Sequence, residues 1–243
     1  MVVGRGLVLR RRPRMWLPTD RRAALPRSPE TRTAQGKWDS MDLLTRRLLL
    51  RDCRAEDETA VHAFISDPGV TRYTAWGPNT PEDTTAFLAM AMSEARRSPR
   101  IRFSLAMVER EADVLIGLIE LRNICERTRR ADLGYVLSPD WRGRGYAIEA
   151  AGAVLRFGFD LGLRKIVATC DPRNEAAATV LERIGMVREG YLRDHVQVRG
   201  QWRDRLLYAV LCTDESDLPM PRDECVDWAD VHTDGDLPEP ALA

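Results

Sequence analysis

Residues 141–151 read WRGRGYAIEAA, and this stretch decides the fold. It follows an apolar run at 131–137, which predicts a β-strand, and it leads into an apolar-faced run at 147–161, which predicts an α-helix. A glycine-rich turn between a strand and a helix N-terminus presents unpaired main-chain N–H groups beside about half a positive charge from the helix dipole. Such a turn binds phosphate oxygens. Because Arg142 and Arg144 flank the turn, we expect a diphosphate or triphosphate ligand.

This turn does not match the common nucleotide-binding motifs. It lacks the Lys-Ser/Thr ending of a P-loop, and its glycines are not in the G-x-G-x-x-G register. It does contain Arg-x-x-Gly-x-Ala, at Arg142, Gly145 and Ala147. Another apolar run, at 163–170, follows the helix. Strand, helix and strand in this order predict a right-handed crossover between parallel strands.

Charge divides the 243 residues into three parts, although the net charge is zero. Residues 1–42 carry ten basic and four acidic side chains and no sustained apolar period, so we predict a disordered basic extension. Two further interpretations of this segment stay open: a transit peptide, or a translation start at Met41. Residues 214–243 carry one basic and ten acidic side chains and are predicted to be a flexible tail. The predicted folded domain is therefore 43–213.

Several classes of protein are disfavoured by composition. The five cysteines are odd in number and include no C-x-x-C pair, so we expect neither a disulfide framework nor a metal. No apolar run approaches the roughly 18 residues that span a bilayer, which favours a cytoplasmic protein without a membrane partner. Aromatic residues are not interleaved with the Arg-Gly-Arg-Gly segment for base stacking, so we expect no nucleic acid partner.

The remaining periodicities complete the predicted domain. They give the order β-α-α-β-β-β-loop-α-β-α-β-β, ending in a hairpin that turns at 199–201. Gly117, inside the third predicted strand, indicates a bulge or a close approach of two backbones. Asn174 precedes an apolar-faced helix at the position of an N-cap.

Seven short segments at these positions resemble members of the GNAT superfamily of N-acetyltransferases, and most of all the ribosomal-protein alanine-acetyltransferase branch. They are RLLLR (47–51), GLIEL (117–121), DLGY (132–135), RGRGYA (142–147), DPRN (171–174), ERIG (182–185) and WRD (202–204) followed by LLY (206–208). The resemblance implies an α+β fold, with a central mixed sheet of about seven strands flanked by about four helices. It also implies transfer of an acetyl group from acetyl-coenzyme A (acetyl-CoA) to a primary amine.

The resemblance further implies where acetyl-CoA binds. In this superfamily the strand before the loop and the strand after the helix diverge, and the coenzyme lies in the gap between them. The residues expected to hold it are Val136, Leu137 and Ser138 for the pantetheine, Arg142, Gly143, Arg144, Gly145, Tyr146 and Ala147 for the diphosphate, and Asn174 on the next helix. A plain helix cap is the alternative role for Asn174.

Amide formation requires a base that deprotonates the incoming ammonium. Asp132 occupies a strand position where many relatives carry Glu, and it is the first candidate, acting through water. Glu120, on the neighbouring strand, is the second, and His195, on the last hairpin, is the third.

The superfamily pattern has two gaps in this chain. The position of the usual Tyr acid, seven residues after the Asn, holds Leu181, and the Ser of close relatives is replaced by Ala177. Tyr191 and Tyr208 are the remaining hydroxyl candidates. The gaps keep a non-catalytic acyl-CoA sensor open as an alternative. The acceptor is either a protein N-terminus or a small-molecule amine, and the chain is a monomer or a homodimer.

Overall fold

The computed structural model describes residues 41–217, with side chains through residue 214. Predictions made for residues 1–40 and 218–243, namely the basic extension and most of the acidic tail, lie outside the described residues. The secondary-structure elements are β1 (Asp42–Leu44), β2 (Leu48–Asp52), α1 (Glu58–Ile65), α2 (Pro81–Ala95), β3 (Phe103–Glu109), β4 (Val114–Cys125), β5 (Arg130–Leu137), α3 (Tyr146–Asp160), β6 (Lys165–Cys170), α4 (Glu175–Arg183), β7 (Val187–Val198) and β8 (Gln201–Leu211). Short 3-10 helices lie at Ala55–Asp57, Pro139–Trp141 and Cys212–Asp217.

One sheet joins all eight described strands in the order β1-β2-β3-β4-β5-β6-β8-β7. The edge strand β1 and the buried Met41 extend the folded chain slightly before the predicted start at residue 43. The final 3-10 helix likewise reaches beyond the predicted end at 213. Strand β1 was not predicted because its three residues carry too short an apolar pattern.

The parallel pair predicted from the strand–helix–strand run is present, and it opens along its length. β5 and β6 share three pairs, which end at Asp132 opposite Val167. Beyond that point β5 continues to Leu137 and β6 to Cys170 without pairing with each other. All other neighbouring strands are antiparallel. A slot therefore separates β5 from β6 at their carboxyl ends.

Alternating side chains on the central strands form two apolar layers, because successive residues of a strand face opposite sides. Helices α3 and α4 cover one face, where Leu155 and Leu181 pack with β-strand side chains such as Ile119. Helices α1 and α2 cover the other, where Phe64 and Leu88 join a cluster that includes β-strand residues. Burial of a side chain of this size contributes about 1.5–3 kcal/mol, so these layers fix the sheet on which the slot opens.

The prediction for Gly117 is confirmed on both counts. The register between β3 and β4 shifts at Met107/Val108, where Gly117 pairs with Met107. A Cβ on Gly117 would lie 2.5 Å from the carbonyl oxygen of Val136. The missing side chain thus lets β4 approach the part of β5 that borders the slot.

Candidate active site

A cleft of about 1270 Å³ runs from the glycine loop, along the slot between β5 and β6, to the segment joining α1 and α2. Most of the residues predicted from the sequence line it: Glu120, Asp132, Val136, Leu137, Arg142, Gly143, Gly145, Tyr146, Ala147, Asn174 and His195. Ser138 and Arg144 are not among the lining residues. The structure therefore brings the loop and both candidate carboxylates to one cavity.

The glycine loop has the backbone that the sequence predicts. Gly143 and Gly145 have φ values of +74° and +83°. A Cβ on Gly143 would meet no atom of the described residues within 4 Å, so at this position the left-handed backbone, not crowding among these residues, favours glycine. Helix α3 begins at Tyr146 with Gly145 as its N-cap, and no side chain among the described residues caps it. The first N–H groups of α3 have no acceptor within the helix, which suits an anionic ligand.

The main-chain groups of Ser138, predicted to contact the pantetheine, form hydrogen bonds within the protein. Its N–H donates to the carbonyl of Ile116 (2.8 Å), and its carbonyl accepts from the N–H of Trp141 (3.1 Å). Both groups are thus engaged within the protein. Arg142 lies across the end of β5, where its Nε donates to the carbonyl of Leu137 (3.2 Å).

Arg144 lies outside the cleft because its side chain turns toward the face of Trp141, with the guanidinium carbon 5.2 Å from the ring centroid. Two residues outside the predicted set secure the loop instead. Arg47 donates to the carbonyl of Arg144 and forms an ion pair with Glu149 of α3. The sequence signal for Glu149 was a lone carboxylate in the apolar run that begins α3.

Glu120 lies on β4 opposite Gly134 of β5, just beyond the last β5–β6 pair. Its Oε1 accepts from the Ser104 hydroxyl (2.6 Å) and lies 3.2 Å from Arg102 Nε. Its Oε2 accepts from Arg122 Nη1 (2.9 Å). Both oxygens are therefore occupied, and two guanidinium groups compensate the charge.

Asp132 is held more loosely than Glu120. Asn123 Nδ2 donates to its Oδ2 (2.7 Å), while Arg130 Nη2 lies 3.5 Å from its Oδ1. The Asp132 side chain is 31% exposed, compared with 14% for Glu120. Asp132 thus keeps more capacity to accept a hydrogen bond from a ligand or a water molecule.

Helix α4, which follows β6, carries the residues that the sequence analysis compared with the superfamily pattern. Leu181 and Ala177 both line the cleft, and Asn174 caps α4 by accepting from the N–H of Ala177 (3.2 Å). The cap prediction for Asn174 is therefore confirmed, and its position on the cleft wall also leaves it available to a ligand.

Neither of the two alternative tyrosines lines the cleft. The Tyr208 hydroxyl donates to Glu182 (3.0 Å), and the Tyr191 hydroxyl donates to Asp204 (2.5 Å) on the last hairpin. Tyr135, on β5, does line the cleft, and burial raises the pKa of its phenol. Its hydroxyl is therefore protonated at neutral pH.

Two further observations concern ligands and membranes. Among residues 41–217, no group of three or more His, Cys, Asp or Glu side chains is arranged to hold a metal ion. In the same part of the chain, no helix combines the length and apolarity required to cross a bilayer.

Comparison with known sequences agrees with the geometry of the site. The sequence profile of the acetyltransferase (GNAT) domain matches residues 47–187. The chain is 34% identical over 174 residues to the N-acetyltransferase YnaD of Bacillus subtilis, covering 70% of this chain and 97% of that protein. It is 30% identical over 114 residues to the ribosomal protein uS5-alanine N-acetyltransferase of Escherichia coli, covering 46% and 59%. It is 29% identical over 162 residues to the spermidine N(1)-acetyltransferase of Escherichia coli, covering 66% and 84%.

Solved structures share the fold. A GNAT-family acetyltransferase from Bacillus anthracis matches with a TM-score of 0.63 and 32% identity, over 70% of this chain and 98% of that one. The spermidine N-acetyltransferase of Vibrio cholerae, solved with coenzyme A and spermine, matches with a TM-score of 0.62 and 22% identity, over 70% and 98%. The expected α+β architecture, with its mixed sheet and four helices, is therefore confirmed. The chain belongs to the GNAT family of N-acetyltransferases, and its chemistry is acetyl transfer.

Proposed function

We propose that this enzyme transfers the acetyl group of acetyl-CoA to the α-amine of a protein N-terminus by direct attack in a ternary complex. The observation that carries the proposal is the continuous cleft. At one end lies a helix N-terminus that no described side chain caps, with two left-handed glycines. At the other lies a mouth where arginines pair with three of the four lining carboxylates.

The donor end fits the chemistry of coenzyme A. Among residues 41–217, no strand pairs with the β6-facing edge of β5 beyond Asp132, so a pantetheine amide can pair with that edge near Val136 and Leu137. The diphosphate would then meet the loop amides around Gly143 and Gly145. Arg142 adds positive charge at the same place.

The acceptor end suits a single ammonium better than a polyamine. Four carboxylates line the described cleft: Asp83, Glu120, Asp132 and Asp171. Asp83 accepts from the N–H of Thr80, and arginines pair with the other three. A polyamine would need free carboxylates for its additional charges, because a buried ammonium without a partner is costly.

Apolar side chains complete the acceptor mouth. Tyr73 and Trp76, from the segment between α1 and α2, line it together with Phe87 and Met90 of α2. Trp76 is 41% exposed. These groups can bury the first side chain of a peptide while the rest of the peptide stays in solvent.

Asp132 is the proposed base. Through a water molecule it accepts a proton from the ammonium, and the neutral amine then attacks the thioester carbon. A C–N bond forms, the C–S bond breaks, and the coenzyme leaves as a thiolate. The attacking nitrogen then gives up its second proton, which protonates this thiolate through solvent and leaves a neutral amide and a free thiol. Glu120, held by its arginines, positions Arg122 beside Asp132. Catalysis then rests on positioning and on main-chain N–H polarisation of the thioester carbonyl.

The test compares acceptors that differ in one feature. Three are incubated with acetyl-CoA: a peptide with a free N-terminal alanine, the same peptide with a blocked N-terminus and an internal lysine, and spermidine. Thiol release and mass spectrometry report transfer, and Gly145→Trp serves as the inactive control.

We expect acetylation of the free peptide only. Preferential acetylation of spermidine or of the internal lysine would refute the proposed acceptor. Binding of acetyl-CoA with no transfer to any amine would instead favour the sensor.

A further inference from the structure

The side chain of Arg47, immediately before β2, joins the glycine loop to helix α3. Its Nη1 donates to the carbonyl of Arg144 (2.9 Å), and its Nε donates to Glu149 Oε2 (2.7 Å). Its guanidinium carbon lies 4.2 Å from the ring centroid of Tyr146. A Cβ built on Gly145 would lie 3.4 Å from its Nη2, so the guanidinium rests against the loop itself.

Glu149 fixes the position of Arg47. It lies in the first turn of α3 and is 7% exposed. Its Oε1 accepts from the Thr45 hydroxyl (2.7 Å) and from the main-chain N–H of Arg47 (2.7 Å), while its Oε2 receives the guanidinium. A carboxylate in the first turn is also stabilised by the helix dipole. The guanidinium therefore has little freedom to leave the loop.

The hydrogen bond to Arg144 determines the direction of one loop amide. In a trans peptide the carbonyl and the following N–H point to opposite sides. Because the Arg144 carbonyl points toward Arg47, the N–H of Gly145 points away from it. Gly145 lines the cleft, so this amide is orientated in advance for a ligand.

We propose that Arg47, held by Glu149, is a positioning residue for the diphosphate of the acyl donor. It acts by fixing the Arg144–Gly145 peptide, and Glu149 balances the charge of its guanidinium. The inference rests on the proposed use of acetyl-CoA, but it concerns residues separated by about a hundred positions in the sequence and independent of the acceptor.

The test compares donors with and without a diphosphate. Arg47→Met and Arg47→Lys are measured for binding of coenzyme A and of pantetheine, which lacks the diphosphate, by calorimetry. They are also measured for kcat/KM with acetyl-CoA and with S-acetylpantetheine. Arg46→Met is the matched control because Arg46 is exposed and adjacent, and its substitution makes the same change in charge.

We expect Arg47→Met to weaken coenzyme A binding by about tenfold or more, the scale of one charge-assisted hydrogen bond, with pantetheine binding unchanged. Arg47→Lys keeps the positive charge but cannot donate to Arg144 and Glu149 at the same time as a guanidinium does. We therefore expect an intermediate loss of coenzyme A affinity. If Arg47→Met does not fold, Arg47→Lys provides the test. Arg46→Met should match the wild type.

Equal losses for both donors, or none for coenzyme A, would overturn the positioning role while leaving the proposed function standing. Failure of the wild-type protein to bind coenzyme A would overturn both.

Discussion

Replacing Gly117 on β4 by alanine should displace β5 and so disturb the slot between β5 and β6. A Cβ at this position would lie 2.5 Å from the Val136 carbonyl oxygen and 2.5 Å from Met107 Cε. The methionine tip can rotate away. The Val136 oxygen cannot, because it belongs to the main chain of β5, and its displacement moves the strand that borders the slot.

The loss of unfolding free energy in Gly117→Ala can be estimated from these contacts. Overpacking of this kind lowers the unfolding free energy by about 1–3 kcal/mol. Alanine also reduces the conformational entropy of the unfolded chain, which raises the unfolding free energy by about 0.4–1 kcal/mol. A net loss of roughly 1–2 kcal/mol should lower Tm by about 2–8 °C in a domain of this size. Because β5 also forms the proposed donor edge, KM for acetyl-CoA should rise in the same variant.

Thermal unfolding and steady-state kinetics of three variants test this reasoning. Gly190→Ala is the control, since a Cβ there meets nothing within 4 Å and the φ angle is not positive, so both quantities should stay close to wild type. Gly143→Ala also has free space but a φ of +74°, so it should lose about 1–2 kcal/mol from its left-handed backbone. If Gly117→Ala unfolds and binds acetyl-CoA like Gly190→Ala, the close approach of β4 to β5 has no energetic consequence and the reasoning is wrong.

Three further predictions concern individual side chains. Asp132→Asn should lower kcat about 10²–10⁴-fold with little change in KM for acetyl-CoA, and Glu120→Gln should lower it less, as measured by thiol release; equal effects would contradict the assignment of Asp132 as base. Burial raises the pKa of the Cys170 thiol to about 11, whereas hydrogen bonding lowers the pKa of the Cys125 thiol. Iodoacetamide at pH 8 should therefore label Cys125 before Cys170, and labelling of Cys170 should increase only as the pH approaches 11, as measured by peptide mass spectrometry. Tyr208→Phe should lower the unfolding free energy by about 1 kcal/mol, because its hydrogen bond to Glu182 is lost, and should leave the pH profile of kcat unchanged. A changed pH profile would indicate that the Tyr208 hydroxyl takes part in catalysis.

Local sequence was sufficient to predict the elements that form the slot. A strand, a glycine turn and an amphipathic helix are adjacent in the chain, and the handedness of the crossover fixes how they pack. Helix α3 was therefore predicted to begin at Ala147 and is observed to begin at Tyr146. The parallel pairing of β5 and β6 followed from the same connection.

Contacts between distant segments were not predictable in the same way. Arg47 and Glu149 are separated by more than a hundred residues, and no local pattern specifies their pairing. Arg122 is different: it follows Glu120 by two residues on one strand, so both side chains face the same side, and that ion pair could have been anticipated. Arg102 required the register between β3 and β4 before it could be placed beside Glu120.

Strand β5 carries both the proposed base and the proposed donor edge, so the two can meet without a dedicated loop. Its side chains alternate, so Asp132 and Val136 face the acceptor side, while Leu133 and Leu137 enter the core beneath α3. In the described part of the chain, no strand pairs with its β6-facing edge beyond Asp132, which leaves main-chain groups for the proposed donor. A slip of one residue would bury the carboxylate and expose the leucines. The apolar core therefore fixes the register that presents the proposed base, so the packing that stabilises the sheet also sets the position of Asp132 in the cleft.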